Sequence, residues 1–229
     1  MAANMIGSGT PWRLAYNPGV PLSLSIWVYG TDTSGTQQNI FSYQNTAGSQ
    51  FYRLYLIGTT GQVICDSADP AFTSGSGGFI TMNAWNHIAF VFGNPCRCAV
   101  NGGSWSNGGT GIFPSVSVMR MGARQNATTP QTFTDYFTGR TAELGMWNGD
   151  IYLTNTSWHL PMANKRCPLF LPIDQSSGFT LTRYWPLWAS TAADRMVGTP
   201  AWSVPTGTAY GDHCPQIYNA SGMGGARMA

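Results

Sequence analysis

Apolar and polar residues alternate with a period of two in several short segments of this chain, and this alternation limits the fold more than any other feature. From Leu22 to Val28 the even positions carry leucine, isoleucine and valine, whereas the odd positions carry serine and tryptophan. Trp85–Phe92 and Tyr136–Trp147 show the same pattern. Because successive side chains of a strand point to opposite faces, each segment is predicted to be a half-buried strand of an antiparallel sheet. On the last of them, the residues expected to share one face are Ala142, Leu144 and Met146.

Turn-forming residues separate these segments from further strand-like ones. The further segments are Asn39–Gln44, Phe51–Gly58, Val63–Asp69, Cys96–Trp105 and Ser115–Arg124. Asn101-Gly102, within the fourth of these segments, is a hairpin signal. The glycine- and serine-rich stretch Thr73–Gly78, which lies between segments, is interpreted as a loop. About nine short strands at roughly ten-residue spacing predict an all-β, two-sheet antiparallel sandwich.

The composition is unusually poor in charge. Charged residues make up 9% of the chain, far below the roughly 25% of an average soluble protein. Because surface charge keeps soluble proteins apart, this composition predicts that neighbours cover much of the surface. The net charge of +2 comes without a basic run, which argues against a nucleic-acid partner.

No apolar window approaches the length of a membrane-spanning helix, so we expect no membrane partner. The N-terminal residues lack a basic start followed by an apolar stretch. We therefore expect no secretory signal and synthesis in a cytoplasm.

The chain changes character near residue 148. Residues 1–148 are predicted to form the sandwich core, and residues 149–229 a short helical segment and a tail that belong to the same domain. From Cys167 onward proline and tryptophan are frequent, which predicts an irregular tail wrapped over the sandwich.

Asp150–Asn164 is the one segment predicted to be helical. Thr154 or Asn155 would serve as its N-cap. Pro161 is expected to disturb the helix because proline lacks the backbone N–H.

Five cysteines, an odd number, argue against a complete disulfide framework. Cys96 and Cys98 should share one face of a strand, and their spacing does not fit a zinc knuckle. A bridge between Cys167 and Cys214 is conceivable, but free buried thiols are the favoured interpretation.

The order of several motifs carries a resemblance to a known family. WNHIAFVF (from Trp85), AVNGG (from Ala99), MRMGAR (from Met119) and YFTGRTAELGMW (from Tyr136) resemble the laminin-G-like branch of the concanavalin A-like jelly rolls. The similarity covers about residues 20–148 and implies a jelly-roll sandwich. Asn101 stands where the family has an acidic residue, which lowers the expectation of calcium at this hairpin.

Segments of the tail, CPLFLPI, RYWPL and DHCPQIY, are similar to the ending that follows this domain in many phage-encoded proteins. The resemblance implies a non-enzymatic virion structural protein that decorates or reinforces a capsid. Its expected partners are the major capsid protein and sister copies in a homo-oligomer, with a trimer as one form. The expected location is the virion.

The alternative function is a glycan-binding module of a phage tail or fibre that recognises the host surface. Its candidate stacking residues are Trp105, Tyr43 and Tyr52, because sugar faces pack on aromatic rings. Structural packing is the competing role for each of these rings. A secreted adhesion lectin is a third option, which the lack of a signal segment disfavours.

Two chemistries of the fold lack support in the sequence. Glycoside hydrolysis needs paired carboxylates, but Glu143 is the single glutamate and is expected to pair with Arg140 or Arg124. Calcium needs clustered oxygen ligands, for which Asp66 and Asp69 are the weak candidates. No catalytic residue or cofactor is therefore predicted.

Overall fold

The computed structural model of the chain describes residues 2–5, 11–68, 72–108, 116–128, 131–164, 179–185, 187 and 210–211. The strands form an eight-stranded sheet, a six-stranded sheet and a two-stranded hairpin. The paired strands of both large sheets run antiparallel. This arrangement confirms the predicted all-β two-sheet sandwich.

The strands in chain order are β1 (Ala2–Met5), β2 (Trp12–Ala15), β3 (Leu22–Gly30), β4 (Gln37–Gln44), β5 (Phe51–Ile57), β6 (Gln62–Ala68), β7 (Phe72–Phe79), β8 (Trp85–Phe92), β9 (Arg97–Val100), β10 (Ser106–Asn107), β11 (Val118–Met121), β12 (Arg124–Thr128), β13 (Gln131–Thr134), β14 (Gly139–Asn148), β15 (Leu181–Trp185) and β16 (Tyr210–Gly211). The described helices are a 3-10 helix (Ile151–Leu153) and α1 (Leu160–Ala163).

The first sheet has the order β10-β9-β8-β3-β14-β1-β16, and β15 also pairs with β14. Thus β1 and β15 share one edge of β14, one along each half. The second sheet has the order β2-β11-β4-β5-β6-β7. Hairpin β12–β13 lies against the outer face of the second sheet, where the Arg120 guanidinium sits 5.2 Å from the ring centroid of Phe133.

The core lies between the inner faces of the two sheets. From β3 it receives the even-numbered residues predicted to share one face, and all four are fully buried. Aromatic rings join the sheets: Phe41 lies 5.6 Å from Phe90, and Tyr52 stacks on Phe92 at 5.3 Å. Such interdigitation of two inner faces is the packing expected of a sandwich.

The outer face of the first sheet is also buried over much of β3, so this strand is not half-buried as predicted. A second apolar cluster explains the difference, since the segment after β14 folds back onto this face. The buried members of that cluster are Ala89, Trp147, Ile151, Trp158 and Met162. On the same face the hydroxyl of Ser25 lies 2.8 Å from Nε2 of the buried His87, so this histidine is a hydrogen-bonded packing residue.

A β-bulge in β14 corrects the predicted facing of its side chains. Ala142 pairs with Trp27 and Gly145 with Ser25, so two residues of β14 oppose one of β3. Glu143 takes the extra position with a φ of 58°. The bulge reverses the alternation. Leu144 and Met146 therefore face the core, whereas Ala142 packs with Trp27 on the outer face.

The stretch interpreted as a loop, Thr73–Gly78, is part of strand β7. Its glycines allow a close approach between the edges of the two sheets. A Cβ on Gly77 would lie 2.5 Å from Sγ of Cys98 and 2.9 Å from the Cys98 carbonyl carbon. The glycines that suggested a loop therefore serve close packing, which strand glycines also do.

The predicted helical segment Asp150–Asn164 contains two short helices instead of one. Neither Thr154 nor Asn155 caps α1, whose N-cap is His159. Pro161 lies in the first turn of α1, where its missing N–H has no intrahelical partner to lose. The expectation that Pro161 disturbs the helix is therefore wrong.

Three cysteines are free and buried, as predicted: Cys65, Cys96 and Cys98. Burial raises the pKa of the Cys65 thiol, and hydrogen bonding with the other two thiols raises it further. We call these three residues the core thiols. Cys167, Cys214 and most of the predicted wrapping tail lie outside the described residues.

Candidate functional site

Trp105 lies where the connection between β9 and β10 meets the segment that contains the 3-10 helix. Its half-buried indole donates a hydrogen bond from Nε1 to the carbonyl oxygen of Thr156 at 2.7 Å. The centroid of its ring lies 4.7 Å from that of His159, 5.4 Å from Tyr152 and 5.8 Å from Trp158. We call these four side chains the aromatic cluster. Their contacts hold the indole in one orientation.

A tight turn fixes the loop that carries this indole. Asn101 and Gly102 have φ values of 51° and 75°, as the two central residues of a type I′ turn require. The turn is closed by a hydrogen bond from the N–H of Gly103 to the oxygen of Val100 at 2.8 Å. The Asn-Gly hairpin signal is thus confirmed. A Cβ on Gly102 would lie 3.2 Å from Leu160, so the turn packs closely on α1.

An ion pair supports the other side of the cluster. The guanidinium of Arg97 pairs with Asp150 at 2.6 Å, and both side chains are buried. Nε of Arg97 also donates to Oδ1 of Asn107 at 3.2 Å. The same guanidinium lies 4.5 Å from the ring centroid of Tyr152, within cation–π range. The two chain segments that form the cluster are therefore tied together by charge as well as by ring contacts.

His159 is a neutral member of the cluster. Burial lowers the pKa of His159, although hydrogen bonds to backbone groups raise it in part. Its Nε2 lies 3.1 Å from the carbonyl oxygen of Gly103. Because a carbonyl only accepts, Nε2 must carry the proton. Nδ1 has no hydrogen-bond partner in the described part of the chain.

The cluster is bordered by exposed polar side chains. They include Ser104, which precedes Trp105, Asn107, whose Oδ1 accepts from Arg97, and Thr156 and Ser157, which precede Trp158. Amide and hydroxyl groups both donate and accept hydrogen bonds. A fixed, half-buried indole beside such groups can take a ligand with one apolar face and several hydroxyls.

The other two rings proposed for stacking lie elsewhere. Tyr43 and Tyr52 are fully buried in the main core, so neither offers a ring face to a ligand. Burial raises the pKa of Tyr43 to about 12, and its hydroxyl donates to Oδ1 of Asn17. The structure thus removes both from the stacking role and keeps only Trp105 at the surface.

Asp66 is not positioned as a calcium ligand. Both of its carboxylate oxygens accept from Arg53, from Nε at 3.1 Å and from NH2 at 2.8 Å. Burial raises the pKa of Asp66, and this arginine lowers it in part. The second candidate, Asp69, lies outside the described residues. Among the described residues no group of three or more His, Cys, Asp or Glu side chains is arranged to hold a metal ion.

Asp66 and Arg53 belong to a polar row that crosses the outer face of the second sheet. Strand register places Arg13 beside Arg120, Arg120 beside Ser42, Ser42 beside Arg53 and Arg53 beside Asp66. We call these five residues the arginine row. The alternation that sends each of these side chains outward is visible in the sequence. The strand register that aligns the five residues is not, so the row was not predicted.

Glu143 has a partner other than the predicted arginines. Its Oε2 accepts a hydrogen bond from the hydroxyl of Tyr184. Arg124 lies 3.9 Å from Asp135 instead, and Arg140 lies over the ring of Tyr29 at 5.1 Å. Burial raises the pKa of Glu143 to about 7.

Comparison with known families agrees with this architecture. A family model described as Laminin_G_3, concanavalin A-like lectin/glucanases superfamily, matches residues 11–152. The chain belongs to this superfamily. The match confirms the resemblance that the sequence motifs indicated. The matched residues run from β2 through β14 into the 3-10 helix. No curated protein sequence matches the chain.

Solved structures show the same fold at low sequence identity. A native heptameric SAP-like pentraxin from Limulus polyphemus is 15% identical with a TM-score of 0.52, covering 69% of this chain and 81% of the pentraxin. Domain 4 of AbnA, a GH43 extracellular arabinanase from Geobacillus stearothermophilus, solved with arabinotriose, is 20% identical with a TM-score of 0.51, covering 65% and 70%. The NanB sialidase of Streptococcus pneumoniae (K499G mutant) is 12% identical with a TM-score of 0.51, covering 66% and 26%.

The helices of the described residues are three and four residues long. None of the helices in the described ranges has the length and apolar character needed to cross a membrane.

Proposed function

We propose that this chain is a non-catalytic carbohydrate-binding module that takes a glycan at the aromatic cluster. The observation that carries the proposal is the indole of Trp105, which is half-buried, fixed in orientation and close to exposed polar side chains. An indole held in place before binding loses little conformational entropy when a ligand arrives. A pyranose or furanose ring would bury its C–H face on the indole and bond its hydroxyls to the polar border.

The comparisons and the carboxylates support binding without hydrolysis. The arabinanase domain of similar fold was solved with arabinotriose, which makes a saccharide ligand reasonable here. The carboxylates of the described residues accept hydrogen bonds from neighbouring groups or form ion pairs with them. They are Asp32, Asp66, Asp135, Asp150 and Glu143. A glycosidase instead keeps two carboxyl groups facing each other across the scissile bond.

A glycan array with matched tryptophan variants tests this function. We expect the wild type to bind a defined set of glycans, and Trp105→Ala to weaken binding at least tenfold, or about 1.4 kcal/mol. Trp85→Ala is the control because Trp85 is also half-buried on the first sheet, where its ring packs against Tyr29. Circular dichroism should show that both variants keep the strand signal. Absence of reproducible binding, or equal loss in both variants, would refute the proposal.

A second candidate function is that of a phage virion structural protein that decorates a capsid as a homo-oligomer. The supporting observations are the 9% charged residues and the apolar side chains that stay exposed, Phe79 at 62% and Leu153 at 71%. Such side chains would be buried by the major capsid protein or by sister copies. Copy number in a purified particle decides between the roles, since hundreds of copies indicate decoration and a few dozen or fewer indicate a tail or fibre module.

A further inference from the structure

Two arginines lie side by side on the outer face of the second sheet without a carboxylate between them. Arg120 of β11 is directly opposite Arg13 of β2 in the strand register. Like charges in a cross-strand pair repel each other. Neither side chain forms an ion pair within the described part of the chain, whereas Arg53 in the same row pairs with Asp66 and Asp135.

Arg120 is also buried with a donor unused. Its side chain is 3% exposed, and Nε has no hydrogen-bond partner among the described residues. NH2 donates to Oε1 of Gln125, and the guanidinium lies over the ring of Phe133. These neutral contacts orient the guanidinium but leave its charge unbalanced. Burial and, to a smaller extent, the charge of Arg13 together lower the pKa of Arg120 to about 10.

A second buried donor lies on the same strand pair, diagonal to Arg120 in the register. Gln44 is fully buried on β4, and its Oε1 accepts from the hydroxyl of Ser42, the residue directly opposite Arg120. Nε2 of Gln44 has no partner in the described residues. Buried polar groups are rarely left without partners, and both orphaned atoms here are donors. Arg13 is exposed, whereas Arg120 and Gln44 are buried, so a ligand would approach from the side of Arg13.

We propose that Arg13, Arg120 and Gln44 form a binding pocket for an oxyanion, such as sulfate or a carboxylate. One anion would neutralise the cross-strand arginine pair and accept from Nε of Arg120 and Nε2 of Gln44. Charge-assisted hydrogen bonds of this kind are shorter and stronger than neutral ones. The pocket lies on the second sheet and the aromatic cluster at an edge of the first, so this proposal does not rest on glycan binding at Trp105.

The test titrates the wild-type protein with sodium sulfate against sodium chloride at equal ionic strength, measured by calorimetry. We expect sulfate to bind in a saturable manner and Arg120→Gln to weaken binding at least tenfold. Arg13→Gln should weaken sulfate binding severalfold. Because Arg13 is exposed, this variant should keep the fold, and it therefore tests the proposal even if the buried variant Arg120→Gln does not fold. Arg140→Gln, a change on the first sheet, is the control and should bind as the wild type does.

A parallel titration with sodium glucuronate identifies the source of the anion. Binding with the same dependence on Arg13 and Arg120 would assign the pocket to a carboxylate carried by a saccharide, whereas binding of sulfate alone would assign it to a tetrahedral anion. The proposal is wrong if neither anion binds. It is also wrong if the affinity is the same in wild type, Arg13→Gln and Arg120→Gln, because a general salt effect would not distinguish these proteins.

Discussion

Replacement of Glu143 by glutamine should change how the stability of the protein depends on pH. Burial raises the pKa of Glu143 to about 7, although the hydrogen bond from Tyr184 lowers it in part. In an unfolded chain the same carboxyl titrates near 4.5. Between these two values the folded protein therefore retains a proton on Glu143 that the unfolded chain has lost.

The magnitude follows from the two pKa values. The interval from 4.5 to about 7, at about 1.4 kcal/mol for each pH unit, corresponds to ~3 kcal/mol of unfolding free energy. Because the folded state binds the extra proton, this contribution is fully present below pH 4.5 and is lost as the pH rises through 7. Glutamine cannot ionise, so the unfolding free energy of Glu143→Gln should not fall over this pH interval for this reason.

Urea unfolding of both proteins between pH 4.5 and 8.5 measures the effect. We expect Glu143→Gln to gain about 2–3 kcal/mol relative to the wild type between the two ends of this range. The difference between the proteins is the relevant quantity, because burial lowers the pKa of His87 and His159 equally in both. Glutamine also keeps the length of the side chain at a φ of 58°, so backbone strain cancels as well.

Tyr184→Phe provides an independent check. It removes the hydrogen bond that lowers the pKa of Glu143, so the loss of stability should continue to a higher pH than in the wild type. Parallel pH profiles for the wild type and Glu143→Gln would show that the buried carboxyl does not titrate near neutrality, and the reasoning would be refuted.

Three further outcomes are expected from the packing. Asp66→Asn removes the carboxylate charge that Nε and NH2 of Arg53 contact. This change should lower the urea unfolding free energy by about 3 kcal/mol. Gly77→Ala places a Cβ 2.5 Å from Sγ of Cys98 and should lower the urea unfolding free energy by about 1–3 kcal/mol, as overpacking does. Gly35→Ala is the control and should have little effect, because its nearest neighbour lies at 3.4 Å. The core thiols should react with a thiol reagent only after denaturation, and a full reaction in the native protein would contradict their burial.

Local patterns predicted the strands well, because alternation and turn residues are properties of neighbouring positions. Strand β8 has the bounds Trp85–Phe92 that the alternation indicated, and the Asn101-Gly102 turn has the expected positive φ values. The bulge at Glu143 escaped prediction because the sequence alternates without interruption on both sides of it. The strand Phe72–Phe79 escaped prediction because the need for glycine at position 77 arises from Cys98 on another strand, which lies 21 residues later in the chain.

The candidate sites were only partly predictable for the same reason. A tryptophan in a glycine-rich connection indicated Trp105, but its partners on the 3-10 helix and α1 come from a different part of the chain. Tyr43 and Tyr52 looked equally suitable in sequence, and only the pairing of the two sheets shows that they face the core. The contact of Arg13 with Arg120 depends on strand register between segments more than 100 positions apart, which no local pattern reveals.

The distribution of charge connects the two proposed sites. Among the described residues, several charged side chains form buried ion pairs, such as Arg53 with Asp66 and Arg97 with Asp150. A surface left with little charge favours ligands bound through stacking and neutral hydrogen bonds, as proposed for Trp105. Against this background the unbalanced Arg13 and Arg120 are an exception that a neutral ligand would not satisfy. The two proposals therefore assign an uncharged sugar surface to one face and an anionic group to the other.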